Sequence, residues 1–495
     1  MRLTDMNDDP GLPIKFGPCS NGEYEPQPLS PIVREAVRRA QKACDDAARR
    51  TGLSRRQFLL SVCGAATTLL ALDACAKDSA KQAGRPAPGG TFTIPSTATT
   101  EPEVARAVIA GDEFVFDIQG HLLEYDLNPA TRGRPWFGQS FPQQYCGDAD
   151  PRECFSINHF MDEVFVKSDT NMVVLSALPI APEGSPLSID VMGETRRVAE
   201  RLCHDDRVLL HAQALPNVGP LSANLDAMEA VVRSHPIAAW KTFTNYPDLD
   251  DNSGNAWRFD DRDPKLAQVG NAFITKCIEV GNPVICVHKG FSQRSPYASP
   301  DDIGPAAKTH PNAQFVVYHS GYEPGRIEGP YADDRASTGV NRLIKSMRDN
   351  GIGPSQNVYA ELGSTWWTLM RSPNEAAHLL GKLLVHVGED NVLWGTDALF
   401  YGSPQDQIQA FRAFQITPEF QEQHGYPALT DDIKRKVLGR NGLRLYGVDP
   451  INARCTFTRE ELEQVRLTVP SGFETYGPAN AADLRAFRAY HRGWP

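Results

Sequence analysis

Val284-Ile285-Cys286-Val287-His288, Phe315-Val316-Val317-Tyr318-His319 and Val392-Leu393-Trp394-Gly395-Thr396-Asp397 share one plan. Each is a short, almost wholly apolar run that ends on a side chain able to hold a metal or move a proton. A strand apolar at nearly every position is buried on both faces, the mark of a parallel sheet covered by helices. Five further runs extend the pattern outward: Phe114–Asp117, Met172–Ala177, Val208–Gln213, Ala238–Phe243 and Val358–Leu362. Helix-like stretches lie between them, among them Val191–Cys203, Leu225–Ser234, Leu266–Val280, Val340–Asp349, Glu375–Val387 and Gln405–Phe414. Eight strand–helix units predict an α/β fold, a (β/α)8 barrel, in preference to an open doubly wound sheet. No GxGxxG opens a helix after a strand and no P-loop occurs, so nucleotide binding has no support.

Composition agrees with a large folded chain. The 495 residues are 41% hydrophobic and 22% charged, which excludes a disordered or coiled-coil protein and allows an ample core. The net charge of −11, with no basic stripe, argues against nucleic acid as a partner. The barrel is expected over residues 111–450. A C-terminal helical extension follows over 451–495, with helices at Arg459–Val465 and Ala481–His491, acting as a brace or subunit contact.

The N-terminal region reads differently. Ser54-Arg55-Arg56-Gln57-Phe58-Leu59-Leu60 opens an apolar stretch ending near Leu72, too short and too weakly apolar to span a bilayer. It resembles a twin-arginine (Tat) export signal, which implies the Tat translocase as a partner and a periplasmic or extracytoplasmic destination. Leu72-Asp73-Ala74-Cys75 resembles a lipobox and makes Cys75 a candidate lipid anchor, with plain cleavage around Ala74-Cys75-Ala76 as the alternative. Residues 1–75 are accordingly read as a leader containing a charged helix, Ser30 to Arg50. Residues 76–110 are read as a tether, because Ala, Lys, Gly, Pro, Ser and Thr follow one another there without apolar periodicity. In an oxidising compartment Cys146 and Cys154 are close enough in sequence to pair. The ten cysteines contain no CxxC spacing, so a cysteine metal site is not expected.

Active sites of such barrels form at the C-terminal ends of the strands. Those ends carry Gln119-Gly120-His121, Lys241, His288, His319, Glu361 and Asp397. Three imidazoles and a carboxylate from different strands suit Zn²⁺ first, with Mn²⁺ or Fe²⁺ as alternatives, in a centre that keeps one position open. Arg134 and Trp136 in the long loop after the first strand, Trp366 after the seventh, and Lys241 suit an aromatic or carboxylated small organic substrate.

Pro283-Val284-Ile285-Cys286-Val287-His288-Lys289-Gly290, Phe315-Val316-Val317-Tyr318-His319-Ser320-Gly321, Leu393-Trp394-Gly395-Thr396-Asp397 and Asn441-Gly442-Leu443-Arg444-Leu445-Tyr446 resemble, in order and spacing, the amidohydrolase-related family, in its branch containing aminocarboxymuconate-semialdehyde decarboxylase. The similarity spans Phe114 to Val448. It implies one divalent metal held by His121, His288 and Asp397, with His319 as catalytic acid/base, Asp397 also orienting water, and Glu361 as a supporting acceptor. Where the family has His-x-His or Glu-x-His, this chain has Gln119-Gly120-His121, and a neutral amide is the weaker ligand. The resemblance also implies a homodimer. The leading expectation is an exported metal-dependent hydrolase of an ester, lactone or amide. A non-oxidative decarboxylase of an aromatic or enoic acid is the second reading. The third is a catalytically silent extracytoplasmic binding protein, which Gln119 favours.

Overall fold

The computed structural model describes residues 11–127, 151–180, 184–203, 206–246, 256–291, 295–453, 458–468 and 473–492. Eight strands, β1 (Phe116–Gly120), β2 (Met172–Ser176), β3 (Val208–Gln213), β4 (Ile237–Phe243), β5 (Val284–His288), β6 (Gln314–Tyr318), β7 (Val358–Glu361) and β8 (Val392–Leu393), form one sheet in sequential order. All neighbours are parallel. The last strand returns to the first: Ile118 N donates to Trp394 O at 3.0 Å, Asp397 N donates to Gln119 O at 2.9 Å, and Gly120 bridges Ala398. The (β/α)8 barrel expected from the two-sided apolar runs is therefore the fold.

Successive strand residues alternate between two apolar environments, as a period of two demands. Ile285, Val287, Phe315 and Val317 join the layer beneath the helices, whereas Cys286, Val316, Tyr318, Ile118 and Leu393 fill the barrel. The filling includes a polar layer that the sequence did not announce. Tyr318 donates to Ile118 O at 2.9 Å, and His211 sits between the Tyr318 and Tyr446 hydroxyls at 3.0 and 2.9 Å.

The N-terminal residues are built into the same core. Helix α1 (Pro31–Thr51) starts at Ser30, whose side chain accepts from Val33 N, and stops at Gly52, φ 70°. Helix α2 (Arg55–Leu60) opens with a capping box of Ser54 and Gln57, and α3 (Val62–Gln82) follows at once. Ala36, Ala40, Cys44 and Ala47 repeat at helical spacing on α1 and are fully buried, as are Ala66, Leu69 and Leu72 on α3. A side chain at Gly64 would come within 2.5 Å of Phe58 O, so glycine is what lets α3 follow α2 so tightly. The expected leader is thus packed against the barrel, and Cys75 is buried in the middle of α3 instead of being presented for modification.

Residues 76–110 are not a tether. Helix α3 runs on to Gln82, Gly90–Phe92 pairs antiparallel with Phe414–Ile416, and Pro102–Ile109 is helical. Asp73 explains the anchorage: it is buried, accepts from Phe92 N at 3.0 Å and pairs with Lys77 at 2.6 Å. Small residues gave these segments no apolar rhythm, yet Phe92 against Phe414 at 5.5 Å fixes them. The C-terminal helices lie at Arg459–Thr468 and Ala481–Arg492, close to their expected places. Between them Tyr476 N and Gly477 N donate to Phe400 O at 2.7 and 2.8 Å, so the extension braces the loop after β8. Cys154 is disulfide-bonded, and its expected partner Cys146 lies outside the described residues. Among the described residues no helix is long and apolar enough to cross a membrane.

Candidate active site

At the C-terminal mouth the strand ends converge as the sequence led us to expect. His121 Nδ1 donates to Ser176 O at 2.6 Å, since a carbonyl only accepts, and this turns Nε2 into the site. That nitrogen lies 3.1 Å from Asp397 Oδ1. His319 is anchored the same way, Nδ1 to Gly363 O at 2.8 Å, which leaves its Nε2 free to face the mouth. The rings of His288 and His319 stand edge to face at 4.9 Å.

The backbone here is bent to aim these groups. His319, Ser320, Ser364 and Asp397 all have positive φ, 61°, 54°, 55° and 61°, a conformation costly for residues with a side chain and concentrated here at the site. On β1 the pairing register shifts between Asp117 and Gly120, which re-aims the chain as it enters Gln119 and His121. Two buried carboxylates hold the bends. Asp117 accepts from Gln119 N and Thr396 N, each at 3.0 Å, and from the Thr396 hydroxyl, joining β1 to the turn that carries Asp397. Glu361 accepts from His319 N at 3.0 Å and from Gly363 N, the supporting role expected of it.

Charge follows burial. Burial pushes the Glu361 carboxyl up to about 8 and the Asp117 carboxyl up to about 7. Burial also pulls the His319 imidazole down to about 4 and the Lys241 amine down to about 8. Asp397 goes the other way: burial would raise it, but the hydrogen bond and charge of His121, helped by His319 and Ser364, hold it below the ordinary carboxylate range.

Gln119 also reaches the centre, with Nε2 3.4 Å from His121 Nε2 and a buried Oε1 that has no hydrogen-bond partner. An orphaned amide oxygen in a cluster of imidazoles and an ionised carboxylate fits a divalent cation. Lys241, two residues before the end of β4, is buried, its ammonium 3.4 Å from the centroid of the Tyr318 ring. Trp366 is not a substrate contact. It is 1% exposed, donates to Gln407 O at 2.9 Å, and packs on Phe411 and Phe414 at 5.2 and 5.4 Å, because the helix after β7 turns it into the core. Arg134 and Trp136 lie outside the described residues.

The sequence reading missed one whole side of the site. Leu12, Ile14 and Phe16 are fully buried, and the chain that follows them crosses the mouth. Arg371 donates to Phe16 O and Gly17 O at 3.2 and 3.1 Å, Lys15 pairs with Asp406 at 3.3 Å, and Ser20 N donates to Pro478 O at 2.9 Å. This brings Asn21 Nδ2 within 2.8 Å of Asp397 Oδ2 and places Glu23 Oε1 3.4 Å from His288 Nδ1. Ser364 and Tyr401 complete that wall, the Ser364 hydroxyl donating to Asp397. No apolar rhythm marks Cys19-Ser20-Asn21-Gly22-Glu23-Tyr24; its polar turn residues were the one signal.

Residues 190–448 match a family model described as Amidohydrolase. Similar solved structures include an uncharacterized TIM-barrel protein from Bordetella bronchiseptica, at 15% identity over 67% of this chain and 98% of that one, TM-score 0.43. Another is 5-carboxyvanillate decarboxylase from Sphingomonas paucimobilis, at 14% identity over 68% of this chain and 100% of that one, TM-score 0.39. A third is 2,6-dihydroxybenzoate decarboxylase from Rhizobium, at 13% identity over 68% and 98%, TM-score 0.36. No curated protein matches the chain.

Proposed function

The chain belongs to the amidohydrolase family, a family of metal-dependent enzymes, and from that premise we propose that it hydrolyses an ester, lactone or amide of a small organic substrate. One observation carries the reading: His319 holds a bare Nε2 toward the mouth by anchoring Nδ1 on Gly363 O, with Glu361 fixing its backbone. His121, His288 and Asp397, with the Gln119 amide beside His121, are the residues that would hold one divalent cation, Zn²⁺ before Mn²⁺ or Fe²⁺. Bound there, the cation supplies Lewis-acid charge that eases ionisation of water and polarises a substrate oxygen. His319 takes the proton from the attacking water and returns it to the leaving group. Asp397, kept ionised, aligns His121, and the positive-φ turns keep both groups aimed without reorganisation during the reaction.

The test is metal content together with kinetics. Purified full-length chain holds close to one Zn, Mn or Fe, His121→Ala and Asp397→Ala lose it, and His319→Asn keeps it while kcat falls about 10²–10⁴-fold on the best of a panel of lactones and esters. A His319→Asn variant as active as wild type would overturn the assignment of the base. Lys241 supports a second reading. A buried ammonium near the C-terminal end of β4 suits a substrate carboxylate, which fits non-oxidative decarboxylation of an aromatic or enoic acid. Release of CO₂ from aromatic acids, lost in Lys241→Met, distinguishes it from hydrolysis.

Export by the Tat route belongs to the same proposal, with the helices around the twin arginines retained on the barrel. The exposed Arg55 and Arg56, and the disulfide at Cys154, support it. Intact mass of the chain recovered from the extracytoplasmic fraction tests it, since retention requires residues 11–82 to be present.

A further inference from the structure

We infer that Glu23, carried to the barrel mouth by the N-terminal segment, is itself a ligand of the divalent cation, sharing it with His288 and completing the acidic side of the centre. The inference rests on the metal-dependent reading above and goes beyond it, because it draws a ligand from outside the barrel.

Glu23 Oε1 lies 3.4 Å from His288 Nδ1, and Oε2 lies 3.7 Å from His319 Nε2. Glu23, His288 and His319 present atoms that lie within 4.8 Å of one another. His319 Nε2 is a lone pair, since Nδ1 spends its hydrogen on Gly363 O. Asn21 Nδ2 donates to Glu23 Oε2 at 2.7 Å and to Asp397 Oδ2 at 2.8 Å, so one amide joins two carboxylates across the mouth. Two carboxylates and the bare Nε2 of His319, gathered in one enclosed space, are a surplus of acceptors. A cation resolves it. The placement is also held firmly. Asn21 Oδ1 accepts from Glu23 N at 3.1 Å, Gly22 N donates to Ser20 Oγ at 3.0 Å, and Tyr24 binds the Tyr401 hydroxyl at 2.9 Å. A carboxylate fixed on a polar turn that is itself tied to the barrel is a prearranged ligand. Gln119, on the opposite strand, contributes only a neutral amide, so Glu23 would bring the negative charge missing from β1.

Affinity of the full-length chain for Zn²⁺ and Co²⁺, measured by chelator competition, with the visible absorption of the Co²⁺ form as a second readout, decides the matter. Glu23→Gln, nearly isosteric and checked for an unchanged melting temperature, weakens affinity more than about 100-fold, beyond the 10–100-fold usual for an outer partner, and alters the Co²⁺ spectrum. Glu23→Asp, should Glu23→Gln melt early, retains a carboxylate and the spectrum. Affinity and spectrum of Glu23→Gln matching wild type would overturn the inference while leaving the metal reading intact. A wild-type chain that takes up neither metal would overturn both together.

Discussion

Asp117 is where barrel closure and active site meet, and its removal has a calculable cost. Its carboxylate is fully buried and accepts from two backbone N–H groups, Gln119 and Thr396, each at 3.0 Å, and from the Thr396 hydroxyl. In Asp117→Ala both N–H groups lose their partner inside the protein. At about 1–3 kcal/mol for each, the loss is about 2–6 kcal/mol. For 495 residues, a specific unfolding entropy of about 2 cal/mol/K per residue converts each kcal/mol into about one degree, so the melting temperature falls by about 2–6 °C. Asp117→Asn keeps one acceptor for the two N–H groups and lets the Thr396 hydroxyl turn to accept, so it costs about 1 °C. Gln119, His121 and Asp397 follow immediately on the two chains that Asp117 joins, so metal affinity in Asp117→Ala falls about 10–100-fold as well. Scanning calorimetry and chelator competition measure the two effects. An alanine variant that melts with wild type, or an asparagine variant that melts as low as alanine, would refute the role of these hydrogen bonds.

Two further outcomes follow from groups away from the chemistry. Burial, aided by His424 and Lys382, pulls the His378 imidazole down to about 3, so below about pH 6.5 the unfolded chain takes up a proton that the folded chain refuses. Stability therefore falls with pH by up to about 1.4 kcal/mol per unit, and His378→Gln, measured by melting from pH 7 to pH 5, flattens that slope; equal slopes would exclude the effect. Trp366→Ala costs about 3–5 kcal/mol and leaves KM for the assay substrate unchanged, because the indole fills the core beside Phe411 and Phe414; a KM shift without loss of stability would return it to the substrate site.

The barrel was legible because two-sided burial leaves a trace that survives without a structure: a run apolar at every position has few other uses. The chemistry at the strand ends was legible for the same reason, since His288, His319 and Asp397 each terminate such a run. Boundaries were less so. Trp394 to Asp397 read as strand, yet their pairing with β7 stops at Leu393: Trp394 N donates to Val437 O at 3.1 Å and Asp397 turns to φ 61°, while the chain keeps its bonds to β1. Trp366 was misplaced because an aromatic residue just past a strand end looks the same whether its helix turns it toward the mouth or the core. Asn21 was beyond reach: it meets Asp397 across 376 residues, and nothing local to Cys19–Tyr24 indicates what that turn will face.

Ser54 to Gln82 shows why one stretch supported two readings. An export signal and a tightly packed helical pair ask for the same residues: a polar cap, a basic start, and a run of small and apolar side chains. Ser54, Gln57, Gly64 and the alanines serve the second purpose in detail, as cap, capping partner and close-packing surface. Asp73 separates the two demands. In a detachable apolar segment a carboxylate is only a cost, whereas here its buried oxygens hold Phe92 N and Lys77 and tie α3 to the strand that pairs with Phe414–Ile416. Asp73→Ala removes that tie and leaves the twin arginines and the apolar run unchanged. If the helices serve only to direct export, the variant melts with wild type. If they hold the N-terminal chain against the barrel, its melting temperature falls and, with the mooring of Glu23 loosened, its affinity for Zn²⁺ falls with it.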